Sequence, residues 1–328
     1  MTTYKDIHGT QVEVRSDDPS NPVNGQIWYN TTDRKLRGHT VNPVGAWASG
    51  GNLNVAKQQM GQTGSQTSAL GFGGETSGAV AVTTNELYNG SAWTEVNDLN
   101  VAKYRQAAAG SDATSALSFG GRLVNNSISK TNESFNGTSW TEVGDLNSGN
   151  HDIAGGAGVS NTSALCFGGD PSNSTTNESW NGTAWTEVND LNSGRGDLVG
   201  VGTATAALAS GGLITAVSAL NESWNGTSWT EVADLNTARQ QLSGGGTDNT
   251  SAVVYGGYIT AVSALTEVWN GTAWAEGNDL GTARAYGHGG AGTAASALAF
   301  GGETATARTA ATEEWNEPLG ATQEFDLS

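Results

Sequence analysis

A segment that the chain repeats with little change constrains its fold more than any other feature. One copy runs from Asn221 to Arg239 and reads Asn-Glu-Ser-Trp-Asn-Gly-Thr-Ser-Trp-Thr-Glu-Val-Ala-Asp-Leu-Asn-Thr-Ala-Arg. Asn225-Gly226 lies between two runs of strand-forming residues. This pattern favours a hairpin with a type I′ turn, which needs positive φ at both central residues. The segment therefore predicts two antiparallel strands with a tryptophan on each.

Two landmarks of this segment recur in phase along the chain. The second tryptophan returns every 44 to 47 residues, at Trp47, Trp93, Trp140, Trp185, Trp229 and Trp274. An apolar strand that ends in Gly-Gly occurs six times, with the pairs at 73–74, 120–121, 168–169, 211–212, 256–257 and 301–302. A period of about 45 residues with four short strands in each unit is typical of a β-propeller blade.

These repeats predict an all-β chain that contains a six-bladed β-propeller with four-stranded blades over residues 45–328. The first copy supplies only a fourth strand, at 47–53, and the last unit has no second tryptophan. We therefore expect residues 47–53 to complete the last blade, because this exchange leaves no free strand edge. The tail at 322–328 weakly resembles the fourth strand and is the alternative.

Residues 1–44 lie outside the repeat and predict a small β-hairpin module. Gln26 to Asn30 is a candidate strand, Thr31-Thr32-Asp33 a turn, and Lys35 to Arg37 the returning strand. A module this short cannot bury a large core alone. We therefore expect it to attach the chain to another protein, with Ile27, Trp28, Tyr29 and Leu36 as candidate attachment residues.

Two resemblances add to this interpretation. The segment from Asn21 to Leu36 resembles one near the N-terminus of many structural and tail-fibre proteins of tailed phages, except that Arg34 stands where glycine is usual. The repeat resembles the kelch family in its Gly-Gly, its later tryptophan and its basic residue, and it is similar to kelch-like repeats of phage and environmental viral proteins. The resemblances imply a kelch-like propeller in a virion protein.

Composition excludes several classes of partner. The formal net charge is −18 with only 14 Lys and Arg, whereas binding to nucleic acid needs a basic face. No apolar run is long enough to span a membrane, and the N-terminus has no apolar core of a signal peptide. The single cysteine, Cys166, excludes a disulfide framework within the chain.

Each repeat carries one glutamate before the first aromatic residue and, in most copies, one basic residue at its end. Glu222 and Arg239 are examples, and Asn150 breaks the basic series, with His151 as a possible substitute. The charges indicate either a binding ring on one face or an architectural ion pair in every blade. We favour the pair, and we count the glutamate and arginine with Trp93, Trp140, Trp185, Trp229 and Trp274 as structural repeat residues.

No arrangement typical of catalysis or metal binding stands out, so we expect no catalytic residue, no metal and no cofactor. The acidic series that includes Asp98 and Asp234 indicates turns or a solvated edge, with calcium as the alternative. The linkers after Gly-Gly differ between blades, which is where function on a repeated scaffold is expected. Arg122, Lys130 and Arg308 in these linkers are candidate surface-binding residues.

The preferred hypothesis is a non-enzymatic structural protein of a bacteriophage virion, in the tail fibre, tail, neck or capsid. It would be made in the host cytoplasm and attach through residues 1–44 to other virion proteins as an oligomer. Its propeller would bind protein or a host-surface glycan or receptor. The alternative is a carbohydrate-active enzyme or an oxidase on a kelch-like propeller, which needs a cluster of unique polar residues at one channel mouth.

Overall fold

The chain forms two units built from β-strands. The computed structural model describes residues 12–20, 26–40, 45–152, 157–170, 173–286, 291–317 and 321–325, which contain 32 strands and no helix. Within them, therefore, no helix could cross a membrane. The first unit comprises residues 1–45 and 317–328, and the second comprises residues 46–316.

The first unit contains one four-stranded sheet. Its strands, in spatial order, are β1 (Glu13–Arg15), β2 (Ile27–Asn30), β3 (Lys35–Thr40) and β32 (Ala321–Phe325). The β1 and β2 strands are parallel, and the other neighbours are antiparallel. Trp28 is fully buried, and its indole Nε1–H donates to Asp18 Oδ1 at 2.9 Å. Trp28 therefore stabilises this sheet from within, and its part in attachment stays a prediction.

The second unit consists of six four-stranded blades. Blades one to three are formed by β5 (Gly61–Ser65), β6 (Ser68–Phe72), β9 (Asn85–Tyr88) and β10 (Trp93–Val96); β12 (Ala107–Asp112), β13 (Ser115–Phe119), β15 (Asn132–Phe135) and β16 (Trp140–Val143); and β17 (Ala157–Ser160), β18 (Ser163–Phe167), β19 (Asn177–Trp180) and β20 (Trp185–Val188).

Blades four to six are formed by β21 (Val199–Thr203), β22 (Ala206–Ser210), β23 (Asn221–Trp224) and β24 (Trp229–Val232); β25 (Ser243–Asp248), β26 (Ser251–Tyr255), β27 (Thr266–Trp269) and β28 (Trp274–Glu276); and β29 (Ala291–Gly292), β30 (Ser296–Phe300), β31 (Thr312–Asn316) and β4 (Ala46–Ser49). Two further pairs are short: β7 (Glu75–Thr76) with β8 (Val80–Ala81), and β11 (Lys103–Tyr104) with β14 (Arg122–Leu123).

The blades are arranged in a closed ring. The first strand of each blade lies beside the first strand of the next, from β5 through β12, β17, β21 and β25 to β29, and β29 lies beside β5. These inner strands are rich in glycine and alanine because six of them crowd around one axis. The six-bladed propeller predicted from the repeat is confirmed.

The last blade closes by strand exchange. The β4 strand pairs antiparallel with β31, with Trp47 opposite Trp315 and Ala46 opposite Asn316. Beyond β4, Leu53 N–H donates to Ala310 O at 2.9 Å. Residues 47–53 therefore complete blade six as expected. The alternative was closure by the tail at 322–328. The described part of that tail belongs to β32, which pairs with β3 in the first unit, so the assignment of the tail to the propeller is wrong.

Aromatic contacts join neighbouring blades. The tryptophan of the fourth strand packs against the aromatic residue that ends the second strand of the preceding blade, with ring centroids 4.6–4.9 Å apart. The five pairs are Phe72 with Trp140, Phe119 with Trp185, Phe167 with Trp229, Tyr255 with Trp47 and Phe300 with Trp93. Aromatic pairs at this separation stabilise beyond the area they bury, so the repeated tryptophans hold the ring of blades together.

The hairpin turn differs from the expected type I′ turn. Trp224 pairs directly with Trp229, so four residues connect the strands, and of these only Gly226 has positive φ. The Asn225 side-chain Oδ1 accepts from the backbone N–H groups of Thr227 and Ser228, at 2.9 Å each. The type I′ prediction is wrong because asparagine organises this turn through its side chain.

Arg34 lies between β2 and β3 and adopts φ 61°. The phage segments that residues 21–36 resemble usually have glycine at this position. This left-handed conformation costs a non-glycine residue roughly 1 kcal/mol. We expect Arg34→Gly to slow hydrogen exchange of the β2 and β3 amides by a factor equivalent to about 0.5–1 kcal/mol. The control is Lys35→Gly, inside β3, which should accelerate exchange; acceleration by both changes would contradict the strain argument.

Candidate functional site

A buried ion pair connects consecutive blades. In blade four, Arg195 Nη1 lies 2.6 Å from Glu222 Oε1, and both side chains are fully buried. Glu222 Oε2 also accepts the backbone N–H of Asn192, at 2.8 Å, in the turn that leaves blade three. The corresponding pairs elsewhere are Lys57 with Glu86, Lys103 with Glu133, Arg239 with Glu267 and Arg284 with Glu313. Because both partners are buried in the ring, this geometry favours the architectural pair.

Blade three lacks the cation. Asn150 occupies the basic position, and its Nδ2 donates to Gly168 O at 2.6 Å. Glu178 instead accepts three N–H groups, from the backbone and side chain of Asn147 and from the backbone of Ser148. The expectation that His151 replaces the cation is wrong, because its ring contacts Asp152 and Arg122 rather than Glu178.

The two ends of the channel differ in composition. One end is lined by glycine, serine and threonine from all six inner strands, including Thr63, Gly110, Gly158, Gly202 and Thr247, around a cavity of about 360 Å³. These small residues carry little recognition chemistry besides backbone groups and hydroxyls. The other end, where the inner strands begin, carries larger and unlike side chains.

Six of these side chains form what we name the inner ring. Each lies two residues after the basic or asparagine position of its blade, and each has φ between 51° and 62°: Gln59, Arg105, Asp152, Asp197, Gln241 and Tyr286. The backbone N–H groups of five members donate to the carbonyl oxygen of the preceding member, as from Arg105 N to Gln59 O at 2.8 Å and from Gln241 N to Asp197 O at 2.7 Å. The inner ring is therefore joined by hydrogen bonds from Gln241 back to Tyr286.

A second set of six residues, the outer ring, follows each Gly-Gly pair. Its members are Glu75, Arg122, Asp170, Leu213, Tyr258 and Glu303, each paired by a backbone bridge to a residue just before the inner ring. Together the two rings form a surface that we name the ring face. It supplies the cluster of unique polar residues that the enzyme alternative requires and that sequence reasoning did not assemble.

The half of the ring face built by blades one to three is a network of charged groups. Arg105 Nη1 lies 2.7 Å from Asp152 Oδ2, which also lies 2.8 Å from His151 Nδ1. Arg122 Nη2 lies 2.8 Å from His151 Nε2. Because arginine only donates, Nε2 accepts, and the imidazole donates its Nδ1 proton to Asp152.

This network argues against a metal at the place where one is geometrically conceivable. His151, Asp152 and Asp170 bring ligand atoms within 4.8 Å of one another. A histidine that binds metal through one nitrogen normally donates a proton from the other, but His151 accepts at Nε2 from Arg122. The donor set at these three residues therefore suits a hydrogen-bonded network better than a metal.

Asp197 is a carboxyl group of the ring face with strongly altered acidity. Burial raises its pKa to about 7, the carboxylates of Asp152 and Asp170 contribute in the same direction, and Arg105 opposes them. Its Oδ2 accepts a hydrogen bond from Gln241 Nε2 at 3.3 Å. Near neutral pH this group exchanges a proton, which makes it the ring-face residue best suited to acid–base chemistry.

The candidate surface-binding residues are divided by the structure. Arg122 belongs to the outer ring, and Arg308 lies 3.2 Å from Glu75 of the same ring. Lys130 is exposed elsewhere in blade two and donates to Asn147 O at 2.6 Å. Among the attachment candidates, Ile27, Tyr29 and Leu36 are half-buried in the first unit.

The acidic series serves the turns of the blades. Asp98 accepts from Thr83 Oγ1 at 3.1 Å and from the Asn85 backbone at 3.2 Å, and Asp234 accepts from the Asn221 backbone at 3.2 Å. These contacts are local to each blade, which fits the interpretation that the acidic residues belong to turns.

The inner ring was not predicted, although the sequence contains a sign of it. The linkers after Gly-Gly were expected to carry function because they differ between blades. The position two residues after the basic residue varies just as much, from glutamine through arginine and aspartate to tyrosine. A column of unlike polar residues between strongly repeated neighbours was the available sign of the site.

Comparison with known proteins identifies the fold alone. No family model matches the chain, and no curated protein matches it. Among 305 matching solved chains is the structure of YjhT, with a TM-score of 0.68 and 14% sequence identity, covering 83% of this chain and 99% of that chain. At this identity the likeness supports the propeller fold, which hosts many unrelated functions.

Lys103→Arg is expected to increase the free energy of unfolding at pH 7 by about 1 kcal/mol. Arg195 lies 2.6 Å from its glutamate, whereas Lys103 Nζ lies 3.7 Å from Glu133. Burial lowers the pKa of Lys103 to about 8, against the pull of Glu133. Between about pH 8 and 10 the unfolded chain therefore holds this proton more tightly, so the wild-type protein gains stability as pH rises.

Urea titrations of both proteins from pH 7 to pH 10 test this expectation. Between pH 8 and pH 10 the stability of the wild-type protein relative to the arginine variant should rise by about 2 kcal/mol, because arginine keeps its proton throughout, so the variant becomes the less stable protein. An advantage that is constant over this range would show that Lys103 does not lose its proton in the folded state.

Asp197→Asn is expected to stabilise the propeller by about 1–3 kcal/mol above pH 7 and to have little effect near pH 4. Because burial raises the folded pKa to about 7, the folded carboxyl holds its proton between about pH 4 and 7, where the unfolded one releases it. The wild-type protein therefore loses stability across this window as pH rises. Thermal unfolding at several pH values measures the difference, and equal effects at pH 4 and pH 8 would contradict the assignment.

Proposed function

We propose that this chain is a non-enzymatic structural protein of a bacteriophage virion. The first unit attaches it to other virion proteins in an oligomer. The kelch-like propeller presents the ring face to a ligand on the host surface, a glycan or a receptor. On this proposal the protein is made in the host cytoplasm and resides in the virion, as part of the tail fibre, tail, neck or capsid.

The observation that carries the binding role is the backbone of the inner ring. All six members adopt φ between 51° and 62°, and none is glycine. Elsewhere the chain uses glycine freely in this region, as at Gly73, Gly120 and Gly168. Retaining side chains at a cost of about 1 kcal/mol each indicates that these side chains have a use.

The virion role rests on the first unit. Within the segment at 21–36 that resembles phage proteins, the described residues 26–36 form β2, the turn and the start of β3. The β32 strand joins the same sheet from the other end of the sequence. The propeller is thus an insertion between two paired strands of the unit that carries the resemblance. Both chain segments that connect to the propeller belong to this attachment unit, which suits a protein that displays a binding domain.

A second candidate function is an acid–base enzyme acting on carbohydrate, and one observation favours it. Asp197, whose pKa is raised to about 7, and Asp152, which is paired with Arg105, place two carboxyl groups with different environments on one face. Such pairs support glycoside hydrolysis. Turnover of glycosides that has a pH optimum near 7 and disappears in Asp197→Asn would favour the enzyme over the binding protein.

The proposed function predicts that the chain is recovered from purified phage particles and that the full-length protein binds host cells. Arg105→Gly should weaken cell binding about tenfold, because it removes a ring-face cation at a backbone position that glycine prefers. The control is Ala79→Gly, which also has positive φ but lies in an exposed linker. Quantitative binding to fixed host cells provides the measurement.

Two results would reject the proposal. The virion role fails if the chain is absent from particles while it accumulates in infected cells. The binding role fails if Arg105→Gly and Ala79→Gly bind host cells as well as the unaltered protein does.

A further inference from the structure

A cleft opens on the ring face between the linkers of blades five and six. It has a volume of about 300 Å³, and Tyr258, Tyr286 and Glu303 line it together with Thr260, Ala261, Val262, Thr304 and Ala305. Tyr286 belongs to the inner ring, whereas Tyr258 and Glu303 belong to the outer ring. The cleft therefore extends from the channel mouth toward the periphery, on the side of the ring face opposite the charged network.

The lining contains one charged group, and it is a carboxylate. Within the described residues, the Glu303 side chain has no ion-pair or hydrogen-bond partner, whereas its equivalent in blade one, Glu75, is paired with Arg308 at 3.2 Å. In the part of the chain that the structure describes, no lysine or arginine lines the cleft, and the chain carries a net charge of −18. An anionic ligand would meet uncompensated negative charge there.

The cleft offers hydroxyl groups as well as the carboxylate. Tyr258, Tyr286, Thr260 and Thr304 line it, and a hydroxyl can both donate and accept a hydrogen bond. Burial raises the pKa of Tyr286, and Glu303 and Asp197 contribute in the same direction, so its phenol keeps the proton that it can donate. A ligand that carries its own hydroxyl groups can pair with these groups and with Glu303.

We propose that this cleft binds a neutral saccharide unit. The phenol rings of Tyr258 and Tyr286 would pack against the C–H faces of the sugar, while Glu303 and the threonine hydroxyls accept hydrogen bonds from its hydroxyl groups. This inference rests on the proposed host-binding function and names the chemistry of its ligand. A cleft of this volume holds one or two sugar rings.

The choice of a sugar over a quaternary ammonium follows from the hydroxyl groups of the cleft. Tyrosines and a carboxylate also suit an organic cation. Such a cation, however, carries no O–H or N–H group and no acceptor for the hydroxyls of Thr260 and Thr304. A polyol can pair with these hydroxyls and with the carboxylate together and still presents an apolar face to the rings, so it matches more of the groups that line the cleft.

The backbone of Tyr286 makes a clean test possible. Its φ of 62° is unfavourable for a bulky residue, so Tyr286→Gly removes the ring and relieves the strain at once. Glu303→Gln removes the charge without changing the shape. Ala79→Gly serves as the matched backbone control, because Ala79 has φ 56° and does not line the cleft.

Saturation-transfer NMR of the full-length chain with glucose, galactose, mannose and N-acetylglucosamine, each at about 10 mM, tests the proposal, since single sugars bind weakly. We expect at least one of the four to bind, its affinity to fall about tenfold in Tyr286→Gly and in Glu303→Gln, and Ala79→Gly to match the unaltered protein. Sialic acid and tetramethylammonium are the charged comparisons.

The proposal is overturned if none of the four sugars binds, if Tyr286→Gly binds them as well as the unaltered protein does, or if only sialic acid or tetramethylammonium binds. These outcomes are distinct from failure of the proposed function. A chain that binds host cells but no neutral sugar contradicts only the saccharide assignment, and a chain that binds sugar but is absent from particles contradicts only the virion role.

Discussion

The ring of blades depends on a glutamate that is buried where two blades meet. Glu222, in blade four, binds Arg195 on one side and the turn after blade three on the other. Removing one partner of such a pair would leave a buried charge, at a cost of about 3–5 kcal/mol. Because the same contact recurs around the ring, each blade is held by its neighbour as well as by its own strands. Blade three shows that the uncharged N–H groups of one turn can take the place of the cation.

Architecture was predictable from this sequence because it is repeated. A period of about 45 residues, the Gly-Gly pairs and the incomplete first and last units indicated six blades and their closure by Trp47. The turn around Asn225 was mispredicted because a dipeptide rule does not count the residues between paired tryptophans. The tail was misassigned because its likeness to a fourth strand was weaker evidence than its pairing with β3, which no local pattern reveals.

The candidate site was harder to predict for the opposite reason. Its residues differ from blade to blade, and they come together only because the ring brings six equivalent positions to one mouth. No spacing in the sequence shows that the side chain of Asp197 contacts Gln241, or that Tyr286 and Glu303 line one cleft. The cost of positive φ at the inner ring also cannot be read from the sequence, because nothing in the sequence around a glutamine, an arginine or a tyrosine indicates that it adopts this conformation. A constant scaffold thus carries a face whose chemistry can vary without changing the fold.

The chain enters and leaves the propeller at neighbouring strands. Ala46 lies opposite Asn316 in blade six, and Thr40 lies opposite Ala321 in the first unit. A domain whose two ends are adjacent is easily inserted into, or exchanged within, a host fold. The arrangement therefore lets recombination replace the whole propeller as one cassette. A lineage could acquire a propeller with a different ring face in a single genetic event and keep the same first unit.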